Sequence, residues 1–224
     1  MGRALTGSGR IFAGLVVAFT GAAICLSGVD AAAVGASGLF RSVEKRGKSV
    51  RTFKKWSGVL GRIEIEREIE NRPCTAGGFN RCHLRQWKTF LAGLRGKDRM
   101  TQLRAVNRFA NRWRYVEDIV NYGILDYWAT PRQFFNRNGD CEDYAITKYM
   151  SLRYLGWTAN SLRVVVLQDD NLRVAHAVLA AYVGGRAYIL DNQIKQVVLH
   201  SRIYHYRPIY SLNERTWWFH RPLR

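Results

Sequence analysis

The sequence predicts an α+β domain, with helices first and an antiparallel sheet after them. Three observations carry that expectation. Up to Gly156 the apolar residues recur at spacings of three and four. Beyond it they gather in short strand-length blocks, and Gly184-Gly185 separates two such blocks by the two residues a tight β-hairpin uses. The 224 residues are 47% hydrophobic and 23% charged, enough for a core that needs neither metal nor disulfide to fold.

The first 36 residues read as a secretory signal peptide. Arg3 and Arg10 precede an apolar run from Ile11 to Leu26, and small residues follow at Ala31-Ala32-Ala33 and Val34-Gly35-Ala36. The run is short for a spanning helix, although an uncleaved anchor is the alternative. Cys25 follows Ile24 rather than a small residue, so it does not suit lipid attachment. Residues 37–100 form a basic N-terminal region and residues 101–224 the core.

From Ser42 to Lys55 the chain is basic and poor in apolar residues, a surface arm or a loose strand pair. Helices are expected over Arg62–Arg72, Arg85–Leu94 and Asp98–Tyr115. In the last, Leu103, Val106, Phe109, Ala110 and Trp113 make one apolar stripe facing the core. Thr130-Pro131 starts a further short helix, with proline at a first-turn position. Trp128 stands out among the aromatics before it as a candidate neighbour of Cys141.

The stretch Asn138-Gly139-Asp140-Cys141-Glu142-Asp143-Tyr144-Ala145 organises the rest. A helix runs from Tyr144 to Leu155, Gly156 stops it, and Asp140 lies where an N-cap belongs. Cys141 then sits in the first turn, where unpaired N–H groups and the helix dipole favour a thiolate. The flanking carboxylates oppose that charge.

Strands are expected over Leu162–Gln168, Val174–Val183, Arg186–Asp191, Gln196–Leu199 and Pro208–Tyr210. The second is apolar on both faces, as a central strand must be. A Gly184-Gly185 hairpin sets Asp191 opposite Val178 and His176 opposite Gln193. His176 and Asp191 then lie diagonally on one face, within side-chain reach. Each residue alone has an ordinary reading: a buried thiol, a core histidine, the start of a turn. The shared face favours Cys141 as nucleophile, His176 as base and Asp191 as the group that orients the imidazole.

Asp126-Tyr127-Trp128-Ala129-Thr130-Pro131, Gly139-Asp140-Cys141-Glu142-Asp143-Tyr144-Ala145, Ala175-His176-Ala177-Val178-Leu179 and Leu190-Asp191-Asn192 together resemble the bacterial transglutaminase-like cysteine peptidases. That family includes the periplasmic LapG-type proteases that release cell-surface adhesins. The likeness runs from about Leu103 to Tyr210. It implies a papain/transglutaminase-like fold, with the nucleophile at a helix start packed on an antiparallel sheet carrying His and Asp. It also implies a protein substrate at the cell envelope and calcium held by acidic residues matching Asp140, Glu142 and Asp143. Three carboxylates exceed what capping a helix requires, and a hard cation would relieve their repulsion. Asp169-Asp170-Asn171 is a second candidate source of oxygens.

The formal charge is +18, and removing Arg3, Arg10 and Asp30 with the leader lowers it only to +17. No nucleic-acid motif gathers this charge, so no nucleic-acid partner is expected, whereas contact with an anionic envelope surface is. Two alternatives to proteolysis stand: transglutaminase-type acyl transfer to an amine, and a non-catalytic basic domain binding the envelope or nucleic acid. The second leaves Cys141 and His176 without a task. Once Cys25 leaves with the leader, Cys74 and Cys82 enclose a turn-forming loop that suits a disulfide in an oxidising compartment. A zinc site of Cys74, Cys82 and His83 has poor ligand spacing. Mass spectrometry of non-reduced peptides should find Cys74 linked to Cys82 and Cys141 free; a bridge to Cys141 in active protein contradicts the reading.

Overall fold

In the computed structural model the described residues are 38–69 and 81–223. The leader, and Cys74 with the bridge expected of it, lie outside them. Among the described residues the helices are α1 (Lys54–Ile69), α2 (Arg81–Ala92), α3 (Arg99–Ala110), α4 (Asp118–Tyr122), α5 (Pro131–Arg137) and α6 (Cys141–Tyr154). The strands are β1 (Ser42–Arg46), β2 (Leu162–Asp169), β3 (Val174–Val183), β4 (Arg186–Leu190), β5 (Val198–Leu199), β6 (Tyr206–Leu212) and β7 (Trp217–Pro222). They pair antiparallel in one sheet, in the order β1-β7-β6-β2-β3-β4-β5. No helix among the described residues is long and apolar enough to cross a membrane.

Local chemistry explains the element ends. Thr130 and Gln133 form a reciprocal capping box at the start of α5, with Pro131 in its first turn. Helix α6 ends in a Schellman motif: Gly156 takes φ +86°, and the N–H groups of Trp157 and Gly156 reach back to the carbonyls of Leu152 and Arg153. Gly184 and Gly185 both have positive φ, 55° and 74°, as the two central residues of a type I′ hairpin require. The resulting β3–β4 register runs from Val183↔Arg186 to Leu179↔Leu190, the register the glycine pair predicts.

Strand β3 lies between β2 and β4 and is covered on both faces, as expected. On one, Leu179 and Ala181 join Leu103, Val106 and Phe109 of α3 and Tyr149 and Leu152 of α6. On the other, Val178, Ala180 and Tyr182 pack with Leu39, Phe40, Ile203 and Tyr206.

Several boundaries differ from the sequence reading. Helix α3 stops at Ala110 rather than Tyr115: Asn111 is its C-cap, with ψ turned to 2°, and its side chain reaches the Asp191 carbonyl. Helix α1 begins at Lys54, well before Arg62, and carries the fully buried Trp56, whose Nε1 donates to the Asn213 carbonyl at 3.0 Å. Strand β5 shrinks to Val198–Leu199, β6 lengthens at both ends, and β7 and α4 were not anticipated. The basic Ser42–Arg46 segment is no loose arm. It pairs with β7 at the sheet edge, and Glu44 there takes the Arg163 guanidinium at 2.7 Å.

His220 of β7 fastens this edge. Its Nδ1 lies 2.8 Å from Ser42 Oγ and its Nε2 2.9 Å from Ser211 Oγ, so one ring joins β1, β7 and β6. Ser42 Oγ already donates to the Leu39 carbonyl, which leaves it to accept from Nδ1–H while Nε2 accepts from Ser211. Burial pushes the His220 pKa down to about 4; Glu44 opposes the shift and Arg163 adds to it. Between that value and the ordinary value of about 6.5 the unfolded chain binds more protons than the folded one, so stability rises with pH. The melting temperature should therefore fall as pH drops from about 6.5 to about 4. His220→Gln should flatten that part of the profile, and an unchanged slope would refute the assignment.

Candidate active site

Asn138 and Gly139 link α5 to α6, and Cys141 is the first residue of α6. Gly139 is required there, since a Cβ would lie 2.1 Å from Asp143 Oδ2 and 2.7 Å from Asp143 Cβ. Cys141 is a free thiol. Burial raises its pKa well above the ordinary value, Glu142 and Asp140 raise it further, and the backbone N–H of Ala177 works the other way. That N–H belongs to the residue after His176, so the start of α6 is brought against β3 beside the predicted base.

His176 Nε2 lies 3.0 Å from Asp191 Oδ1, and both side chains are buried. With Nε2 engaged, Nδ1 is the nitrogen left to exchange a proton with a thiol. Asp191 is held from three further directions: Tyr206 Oη donates to Oδ2 at 2.6 Å, the Gln193 N–H donates to Oδ1 at 2.9 Å, and Asn111 Nδ2 donates to its carbonyl at 2.7 Å. Burial works to raise the Asp191 pKa, but the hydrogen bonds from His176, Tyr206 and Gln193 prevail and hold it below the usual range. The Tyr206 ring also stands edge-on to His176, centroids 5.6 Å apart. Sequence reasoning missed Tyr206 and Asn111, which carry no motif and reach Asp191 only once β6 and the end of α3 are folded beside it.

The acidic residues do more than cap the helix. Asp140 occupies the N-cap position, yet its carboxylate makes no capping bond. Potential ligand atoms of Asp118, Asp140 and Asp143 lie within 4.8 Å of one another, as do those of Asp118, Asp126 and Glu142, and of Asp140, Cys141 and Glu142. Asp118, at the start of α4, thus joins the three predicted carboxylates into one cluster. Asp126 lies at its rim and pairs with Lys55. Neither Asp118 nor Asp126 was read from the sequence as a ligand, because an isolated Asp near a turn is commonplace.

Burial pushes the Asp140 pKa up to about 9 and that of Glu142 up to about 7, and it raises Asp143 and Asp118 as well. The fit to a hard cation is read from the oxygens left over. Asp118 Oδ1, Asp140 Oδ1 and Asp143 Oδ2 are buried without a hydrogen-bond partner, while Asp143 Oδ1 accepts the Ala129 N–H at 2.6 Å. An oxygen-rich set of this kind suits calcium. Asp169 and Asp170 are employed elsewhere: Asp169 accepts the N–H groups of Asn171 and Leu172, and Asp170 pairs with Arg207 at 2.7 Å. Trp128 is a core residue, edge-to-face with Trp56 at 6.4 Å.

The model of the family described as bacterial transglutaminase-like cysteine proteinase matches residues 76–221. Among solved structures, Legionella pneumophila LapG is similar at 29% identity and a TM-score of 0.60, over 70% of this chain and 87% of that one. Its calcium-bound form gives 0.61 at the same identity and coverage, and its EGTA-treated form gives 0.60 over 84% of that chain. A search of the curated proteins found no match.

The cradle at Gly139 makes a direct test of the site's geometry. Gly139→Ala should force the Asp143 carboxylate aside, lowering both the melting temperature and peptidase activity. Gly61→Ala, on α1 with open space around its Cβ, should leave both unharmed or slightly raise stability. Equal behaviour of the two variants in a thermal melt would contradict the close approach.

Proposed function

The chain belongs to the bacterial transglutaminase-like cysteine proteinases and is a cysteine peptidase, and we propose that it cleaves an envelope protein through Cys141, His176 and Asp191, with calcium at the start of α6. The observation that carries the triad is the 3.0 Å His176–Asp191 hydrogen bond on a strand that also meets Cys141 at Ala177.

In this reading the Cys141 thiol gives its proton to His176 and the sulfur attacks a peptide carbonyl. His176 then protonates the leaving amine, and water releases the acyl group in the second half-reaction. Asp191 keeps the proton on Nε2 and stabilises the imidazolium, while Tyr206 and the Gln193 N–H hold the carboxylate still. The Cys141 N–H, at the start of α6, is a natural donor to the oxyanion. Asp118, Asp140, Glu142 and Asp143 would hold the calcium, with Asp126 at the rim. Its charge would offset the carboxylates that otherwise disfavour a thiolate. The likeness to a protein with a calcium-bound structure supports the metal, and the leader read over residues 1–36 supports export to the periplasm. An adhesin or other surface protein is the substrate class the family resemblance implies.

Cys141→Ala and His176→Ala should each lower peptide cleavage by roughly ten-thousand-fold or more, and Asp191→Asn by less. Retained cleavage of a genuine substrate by the Cys141 variant would end the assignment. Supplying an amine acceptor separates hydrolysis from transamidation, with hydrolysed product expected.

The metal is tested separately. EGTA should lower activity, calcium should restore it, and Asp118→Asn should weaken calcium binding in calorimetry. Activity and melting temperature untouched by EGTA, with no heat of calcium binding, would make the carboxylates purely structural.

A further inference from the structure

A cavity of about 700 Å³ lies between α3 and the chain that follows Asp191, lined by Arg104, Arg108, Asn111, Arg112, Lys195, Gln196 and Val197. Among the described residues its lining has four cationic side chains and no acidic one. Among the described residues none of the four cations is in an ion pair, although the Arg112 guanidinium also lies 5.5 Å from the Phe109 ring centroid. Like charges that line one cavity repel one another unless a counter-charge joins them.

The walls of the groove are fixed. Asn107 Nδ2 donates to the Lys195 carbonyl at 3.1 Å, and Asn111 Nδ2, one helical turn further on, donates to the Asp191 carbonyl at 2.7 Å. The second bond makes the groove wall continuous with the residue that holds the His176 imidazole. The Asn111 end of the groove is thereby tied to Asp191.

We propose that this groove binds an acidic, extended stretch of polypeptide, which on the proteolytic reading above belongs to the substrate. Arg104 and Arg108 are four residues apart on α3, about 6 Å along the axis. Alternate side chains of an extended peptide recur about every 6.7 Å, so carboxylates at every second residue meet successive arginines. Lys195 faces the same space from the opposite wall. Nucleic acid fits less well, because none of the described lining residues is an aromatic that could stack a base. A bilayer surface is flat, whereas these cations line a concavity.

The test measures binding without turnover, so its outcome is independent of the nucleophile assignment. A fluorescein-labelled decapeptide of alternating Glu and Ser is titrated by fluorescence anisotropy with the full chain carrying Cys141→Ala. Saturable binding is expected, weakening from 50 to 300 mM salt, with no binding of the Gln-Ser counterpart. Arg104→Glu with Arg108→Glu should weaken it about tenfold, and Lys195→Glu, on a different segment, about threefold. Lys45→Glu with Arg46→Glu makes the same charge change on β1, at the far edge of the sheet from β4 and β5, and should shift affinity less than twofold. Melting curves confirm that each variant is folded, and Lys195→Glu carries the test if the helix pair is not. Absence of saturable binding, or equal losses from the groove and β1 pairs, overturns the proposal. So does tighter binding of phosphatidylglycerol vesicles or single-stranded DNA with the same dependence on Arg104 and Arg108.

Discussion

The register of one hairpin governs the site. Side chains alternate across a strand, so a slip of one residue between β3 and β4 would turn Asp191 away from His176. Gly184 and Gly185 prevent the slip by taking the two positive φ angles of a type I′ turn, and five consecutive pairs lock the ladder behind them. The sheet extends that precision, since β3 is held by β2 on its other side and both faces are buried. The His176–Asp191 bond is thus fixed by the backbone, and Tyr206 and Asn111 secure Asp191 from β6 and the end of α3.

The second constraint is electrostatic. The start of a helix attracts negative charge, but here Asp140, Glu142 and Asp143 flank a thiol and Asp118 closes in from α4. The dipole of one helix does not neutralise four buried carboxyl groups. Their raised pKa values and unpartnered oxygens have the same physical origin: acceptor oxygens brought together with too few donors. Lys148, two turns along α6 from Cys141, is a cation among the largest fully buried side chains of the described residues. Its Nζ has no hydrogen-bond partner, and burial pushes its pKa down to about 7 against the pull of Asp191. The charge that acts on it is that of Asp191, not those of Asp140, Glu142 and Asp143.

What the sequence made legible follows from the range of the interactions involved. The α5 start at Thr130-Pro131, the α6 stop at Gly156 and the β3–β4 hairpin depend on residues a few positions apart, and all three were readable. So was the central place of β3, from its two apolar faces. Strand β1 was not, because Ser42–Arg46 becomes a strand only by pairing with Trp218–Pro222 at the other end of the chain. The additional acidic residues were hidden for a similar reason. Asp118 acquires meaning only when α4 folds back to bring it beside Asp140 and Asp143, and the cations of α3 become a groove only when Lys195 is laid across from them.

The account depends most on His176 acting upon Cys141, and the rate of alkylation of Cys141 tests that pair without any substrate. Labelling by iodoacetamide at neutral pH, followed by mass spectrometry, should be rapid and stoichiometric at Cys141 in the calcium-supplied protein. In His176→Ala it should slow by about tenfold or more, because the thiol loses the base that takes its proton. Equal rates in the two proteins, with both folded, would contradict the pairing on which the catalytic reading stands.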